Sequence, residues 1–390
     1  MNRYQYNAKW LTWLAPFRQL SVSAAYLTPF FLQQGLSLTQ VFILQAIFSL
    51  AFIVWEIPSG LIADRFGRAF SIKLSGPISV VGLLAYGFSS HFWQFLICEL
   101  ILALGSGLMS GIDTALLLDS LKADGLEDDY TRLGQRINAA GFWAVLVSVP
   151  IAIVLVQFVS IRSTLIADGI LTAIGQVFTF KLAEAPRYQA GSVERQRLAG
   201  IVAIRELGRK AEVRWLVVLG SALGTSTYIA FWLSAPYYRS LGIPVTLFSA
   251  LFAVRSGLKA VLSRVVIPQK YFQASMKSYA ALAGLVYLGM ATGQLWLIWV
   301  VFGHDAVQAL QTTPITGKLN VHIDHEYRAT LNSAVNLVQR LAYSLAGPLV
   351  GLIVDRAGLA TGFVVIGTIC STVAMIAIVR LRGLGSFEQG

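Results

Sequence analysis

The sequence predicts an all-α membrane protein with twelve transmembrane helices in two six-helix parallel repeats. Three observations carry that expectation. Of 390 residues, 56% are hydrophobic and 13% charged, with a mean hydropathy of +0.67, whereas a soluble domain carries roughly 25% charged residues. The apolar residues fall in runs long enough to cross about 30 Å of hydrocarbon, which takes roughly 20 helical residues. Finally, FSLAFIVWEIPSGLIADRFGR (Phe48–Arg68) aligns with FSALFAVRSGLKAVLSRVVIP (Phe248–Pro268) at an offset of 200, and DYTRLGQRINAAGFW (Asp129–Trp143) falls near EYRATLNSAVNLVQR (Glu326–Arg340) at an offset of 197. Nearly equal offsets point to a duplicated six-span unit.

The first run, 11–32, follows Arg3 and Lys9 and is too long for a cleaved signal peptide, so it reads as a retained span. The second, 40–62, ends in the two-signed cluster GLIADRFGR, and the third, 70–90, begins just after it. Only His91 separates the third from the fourth, 92–116, in which Gly105, Gly107 and Gly111 suit close helix approach. Runs at 134–157 and 161–182 complete the N-terminal bundle, 1–182. The polar insert 183–210 is a linker, and Leu198, Ile201, Val202, Ile204 and Leu207 within it have the spacing of an amphipathic surface helix. The C-terminal bundle, 211–390, contains runs at 212–233, 245–266, 274–292, 294–315, 330–353 and 359–380, with Gln294 almost alone in marking the boundary between the ninth and tenth.

Charge orients the chain. With the N-terminus inside, 23 basic residues fall in the tail, the even-to-odd connections and the C-terminal end, against only Arg162, Arg239 and Arg356 on the opposite face. The positive-inside rule then places both termini in the cytoplasm. The net charge of +11 is therefore matched to anionic lipid, and nucleic acid is not expected as a partner. Cys98 and Cys370 lie in apolar runs and make neither a disulfide framework nor a CxxC site. No H-x-x-x-H, Walker or dinucleotide pattern occurs, so no metal, nucleotide or redox cofactor is expected.

GLIADRFGR (Gly60–Arg68) resembles the G-x-x-x-D-R-x-G-R signature of the major facilitator superfamily, and the preceding EIPS with Gly60 resembles its E-x-P-S/T-G form. GIDTALLLDSLK, RATLNSAVN and GPLVGLIVDRAG are weaker family-like stretches. The resemblance implies a cytoplasmic gate. In it Gly60 allows close helix approach, Asp64 pairs with a basic group or a helix N-terminus across the halves, Arg65 and Arg68 join the network, and Gly67 permits the turn. In the second repeat Arg264 replaces Asp64 and Ala260 replaces Gly60, so the motif is intact only once. Asp119 is expected in an inner ion-pair network with Arg132 or Arg136, helped by Lys122.

Ionisable groups at membrane depth are costly and start as functional candidates. Arg18 either faces the central cavity that the resemblance implies, as an anion or acid partner, or snorkels to lipid phosphate. Glu56 is a coupling carboxylate or a hydrogen-bond acceptor for a neighbouring helix, and Asp113 lies deeper in the fourth span than Asp119. Arg255 and Lys259, four residues apart, share a helix face and repel unless an acid faces them; Asp305 and Asp168 are the candidate counter-ions. In VVFGHDAVQALQ, Gln308 can share a face with His304 or with Asp305, and a histidine beside a buried acid supplies the chemistry of proton coupling. Helix-to-helix hydrogen bonding and substrate contact are the alternatives.

The expectation is a multi-pass inner-membrane secondary transporter working by alternating access. Its partners are a small-molecule substrate and membrane lipids, protons are the coupling ion, and it functions as a monomer. Proton-driven export of an amphiphilic drug or metabolite is the first reading. Proton-coupled uptake of a small, anionic solute is the second, and a membrane enzyme or receptor on a transporter scaffold is the third.

Overall fold

The computed structural model describes residues 5–186, 209–265, 267–321 and 328–384. The expected linker helix around 198–207 and Glu326 of the second repeat comparison lie outside them. The first span is discontinuous: α1 (Gln5–Gln19) gives way to an irregular stretch at Leu20–Tyr26 before the short α2 (Leu27–Gln33). α3 (Leu38–Phe66) opens on a reciprocal cap, in which Ser37 Oγ accepts from Gln40 N while Gln40 Oε1 accepts from Ser37 N. α4 (Arg68–Phe88) follows it across Gly67.

The boundary expected at His91 is a helix start: the Gln94 side chain accepts from the amides of Ser90 and His91 as α5 (Phe92–Met109) begins. The fourth span then breaks at Ser110 and Gly111 before α6 (Ile112–Ala123). Gly111 has φ +71°, a left-handed conformation that a side chain strongly disfavours. α7 (Tyr130–Phe158) and α8 (Ile161–Thr179) supply the fifth and sixth spans.

In the C-terminal portion α9 (Ala211–Ser240), α10 (Phe248–Leu262), α11 (Phe272–Ala291) and α12 (Phe302–Val321) follow. A 3-10 helix at Leu295–Val301 leads into α12. α13 runs from Arg328 to Gly383 with non-helical dihedrals at Gly358, so the expected eleventh and twelfth spans are two helices meeting at a kink. Eight helical segments among the described residues are long and apolar enough to cross a membrane, and one of them, Val335–Gly383, holds both of those spans. The broken first span, α11 with its polar opening QASMKS, and α12 with its buried polar groups fall outside that set.

The chain forms two compact units. The first gathers Met1–Leu36, Ile47–Ala190 and Val245–Ala253; the second gathers Ser37–Ala46, Gly191–Pro244 and Val254–Gly390. Leu11, Leu14, Ile72, Leu116 and Leu121 pack the core of the first. Leu216, Leu223, Phe272, Met276 and Ile378 pack the core of the second.

Candidate functional site

In the second unit, α10 and α12 bring three charges together. The Arg255 and Asp305 side chains are only 6% and 4% exposed. Arg255 Nε donates to Asp305 Oδ2 at 2.6 Å and a terminal guanidinium nitrogen donates to Oδ1 at 3.4 Å. Lys259 Nζ stands 3.7 Å from Oδ1 and donates to Gln308 Oε1 at 3.1 Å. The helical spacing explains the geometry: 255 and 259 lie one turn apart on α10, as do 305 and 308 on α12. Asp305, and not Asp168, is thus the counter-ion of the two cations. Two positive groups share one carboxylate, so the three side chains together carry one net positive charge.

His304 is adjacent in sequence but faces elsewhere. Its ring lies 4.3 Å from that of Tyr287 in an edge-on contact, and its side chain takes no part in the Lys259–Gln308 bond. It is 1% exposed, and neither ring nitrogen has a hydrogen-bond partner among the described residues. Consecutive helical residues diverge by about 100°, so the His304 ring makes no hydrogen bond to the cluster, although it lies within reach of the Arg255 charge.

The first unit holds a second ion pair. Arg18, near the end of α1, donates to Asp113 Oδ2 in the first turn of α6 at 2.5 Å, with the side chains 39% and 23% exposed. Each partner therefore stands beside a helix break. The pair lines a cavity of about 480 Å³ with Phe17, Phe52, Ser110 and Gln176 among its other walls. Arg18 is thus held by an acid. Glu56 is exposed on α3.

At GLIADRFGR, Asp64 and Arg65 are exposed at the end of α3, and a Cβ built on Gly60 meets no described atom within 4 Å. Gly67 has φ +112°, and a Cβ there would approach Glu184 Oε2 to 2.5 Å. The Glu184 carboxylate accepts from the amides of Arg68 and Ala69, both at 2.8 Å. It thereby satisfies the open donors at the start of α4. The Arg68 guanidinium bonds the Asp119 carboxylate and donates to the Ala115 carbonyl at 2.8 Å. This corrects the expected partner of Asp119: Arg132 instead reaches Asp129, three residues away on its own chain segment, at 3.0 Å, and Arg136 lies exposed on α7. Arg68 meets Asp119 because α4 packs on α6.

Three carboxylates that sequence reasoning left without these roles bind backbone amides. Besides Glu184, Asp168 on α8 accepts from Val22 N at 2.7 Å and Ser23 N at 2.9 Å inside the break of the first span. Asp355 accepts from Leu38 N at 3.0 Å, Thr39 N at 2.8 Å and Thr39 Oγ1 at 2.6 Å, capping α3 within the second unit. A sequence signal for Asp355 existed: Gly351, Asp355, Arg356 and Gly358 repeat the G-x-x-x-D-R-x-G spacing of Gly60, Asp64, Arg65 and Gly67. Asp355→Ala is expected to destabilise the first turn of α3 by about 1–2 kcal/mol. The check is hydrogen–deuterium exchange, which should be about 5- to 30-fold faster at Leu38 and Thr39.

Among the described residues no group of three or more His, Cys, Asp or Glu is placed to hold a metal ion. Fold and site together define a polytopic helical membrane protein whose spans bury paired charges, the architecture of a transporter. The sequence model of the Major Facilitator Superfamily matches residues 12–347. The chain belongs to that family. Several solved structures share its fold. A variant of the nucleoside transporter NupG superposes with a TM-score of 0.79 at 14% identity, covering 97% of this chain and 99% of that one. A bacterial homologue of the human lysosomal transporter Spinster, inward-facing and occupied, gives 0.70 at 15% identity, covering 97% and 96%. A D-xylose-proton symporter gives 0.67 at 15% identity, covering 95% of each chain. No curated protein matches the chain by sequence.

Proposed function

We propose that the chain is a proton-coupled secondary active transporter of the bacterial inner membrane, with both termini in the cytoplasm, and that Asp305 takes the coupling proton. The Arg255–Asp305–Lys259 cluster carries this reading. While Asp305 is ionised, its carboxylate compensates Arg255 directly. Protonation removes that compensation and leaves the buried Arg255, with the partly exposed Lys259 beside it, facing a neutral acid, a state that burial penalises by several kcal/mol at the unpaired guanidinium. An anionic group on a solute relieves the penalty. Proton and organic anion therefore bind cooperatively, each raising the affinity for the other by the same factor. Carboxylate- or phosphate-bearing solutes moving with a proton are the substrate class this geometry favours. The D-xylose-proton symporter, by its name, couples a solute to protons in the same fold.

Proton-driven export of an amphiphilic compound is the second reading. Its support is the cavity beside Arg18 and Asp113, where Phe17 and Phe52 offer apolar surface next to a charged pair. In either direction, Asp64, Arg65, Gly67, Arg68 and Asp119 serve as a conformational gate and not as a solute site.

The test is purified protein in liposomes under an imposed pH gradient, with the membrane-impermeant anions gluconate and glycerol phosphate as labelled probes and ethidium as the cationic amphiphile. An inwardly directed proton gradient should accelerate anion uptake, and a protonophore should remove the acceleration. Gradient-driven ethidium efflux without anion uptake would transfer support to the second reading. Flux of these probes that ignores the gradient would overturn proton coupling for them.

A further inference from the structure

The first unit contains two interrupted spans, and the interruptions meet. The break at Leu20–Tyr26 follows Arg18 by two residues, and the break at Ser110 and Gly111 precedes Asp113 by two. The ion pair between Arg18 and Asp113 joins the broken ends beside one cavity.

The two breaks have different origins. Gly111 makes its own, through a left-handed backbone conformation. LSVSAAY, Leu20–Tyr26, contains neither glycine nor proline. In an uninterrupted helix the amides of Val22 and Ser23 would donate to the carbonyls of Arg18 and Gln19, four residues back. Here both amides donate to the carboxylate of Asp168, which is 5% exposed and reaches across from α8. A charged acceptor that takes two adjacent amides outcompetes two neutral carbonyls, and it satisfies non-helical backbone where lipid offers no partner. Pro29 assists on the far side, because it has no N–H for the Ala25 carbonyl of a continuous helix.

We infer that Asp168 is a positioning residue: by holding the first span open at Val22 and Ser23 it fixes where Arg18 stands against Asp113. Its contacts are with the amides of Val22 and Ser23 and with the Ser23 side chain, so its effect on the cavity passes through Arg18. This assignment is independent of which solute is carried and of Asp305.

The test follows the reactivity of Arg18 toward p-hydroxyphenylglyoxal, read by peptide mass spectrometry on the full-length protein in micelles. Asp113→Asn should raise the Arg18 rate about tenfold by releasing the guanidinium. Asp168→Asn keeps the side-chain volume but offers one acceptor oxygen in place of two, and should raise the Arg18 rate by about three- to tenfold. The double variant should react no faster than Asp113→Asn alone, the non-additivity expected when one residue acts through the pair. Arg162, tied in the same unit to the Gly87 carbonyl and Gln34, is the internal reference and should stay at its wild-type rate. An unchanged Arg18 rate in Asp168→Asn, additive rates in the double variant, or an equal rise at Arg18 and Arg162 would each overturn the assignment. The last outcome would mark Asp168 as a general structural support.

Discussion

Asp305→Asn is expected to abolish pH-gradient-driven accumulation, by at least about 100-fold, the scale of removing a proton-transfer group, while solute exchange without a gradient persists. The asparagine keeps the volume and one oxygen that can accept from Arg255, but it cannot take up or release a proton. It mimics the protonated acid permanently. Arg255 and Lys259 then remain available to an anion at every pH, so anion binding should lose its pH dependence. Counterflow of labelled against unlabelled solute in proteoliposomes, measured beside gradient-driven uptake, separates the two properties. Full gradient-driven uptake by the variant would remove Asp305 from the coupling mechanism.

Arg255→Met is expected to destabilise the protein by about 3–5 kcal/mol, since breaking a buried pair strands the remaining charge. Among the described residues, Lys259 is then the one cation paired with Asp305, at 3.7 Å and from a partly exposed position. The double variant Arg255→Met/Asp305→Leu should recover most of the stability, as apolar replacements of buried pairs commonly do, and should still fail to couple. Denaturation in micelles reads the stability of both variants. A single variant as stable as wild type would show that the cluster is hydrated and that the burial argument does not apply.

Spans and their order were legible because membrane burial writes itself as long apolar runs. The two-signed GLIADRFGR also announced itself, through its place after the second run. Pairing was harder. Helical spacing put Arg255 and Lys259 on one face, yet it left both Asp305 and Asp168 open as counter-ions, because periodicity within a helix does not say which helix stands opposite. Asp119 was assigned to basic residues nearby in sequence, whereas Arg68, 51 positions away, holds it. The break at Leu20–Tyr26 could not be read from LSVSAAY at all, since the acceptor that stabilises it lies 146 positions from Val22. Glu184 was hidden differently: it sits in a segment that composition marks only as the start of a linker.

The pairing of two cations with one carboxylate also bears on which force can turn the cycle. When one proton and one singly charged anion load together, the sum of charge in the cluster is the same before and after. The moving load is then electrically silent. Such a cycle draws on the difference in proton concentration across the membrane and is indifferent to voltage, which acts only on net charge translocated. A doubly charged solute carried with one proton would instead work against an inside-negative potential, so the proposed coupling favours a cargo with a single negative charge.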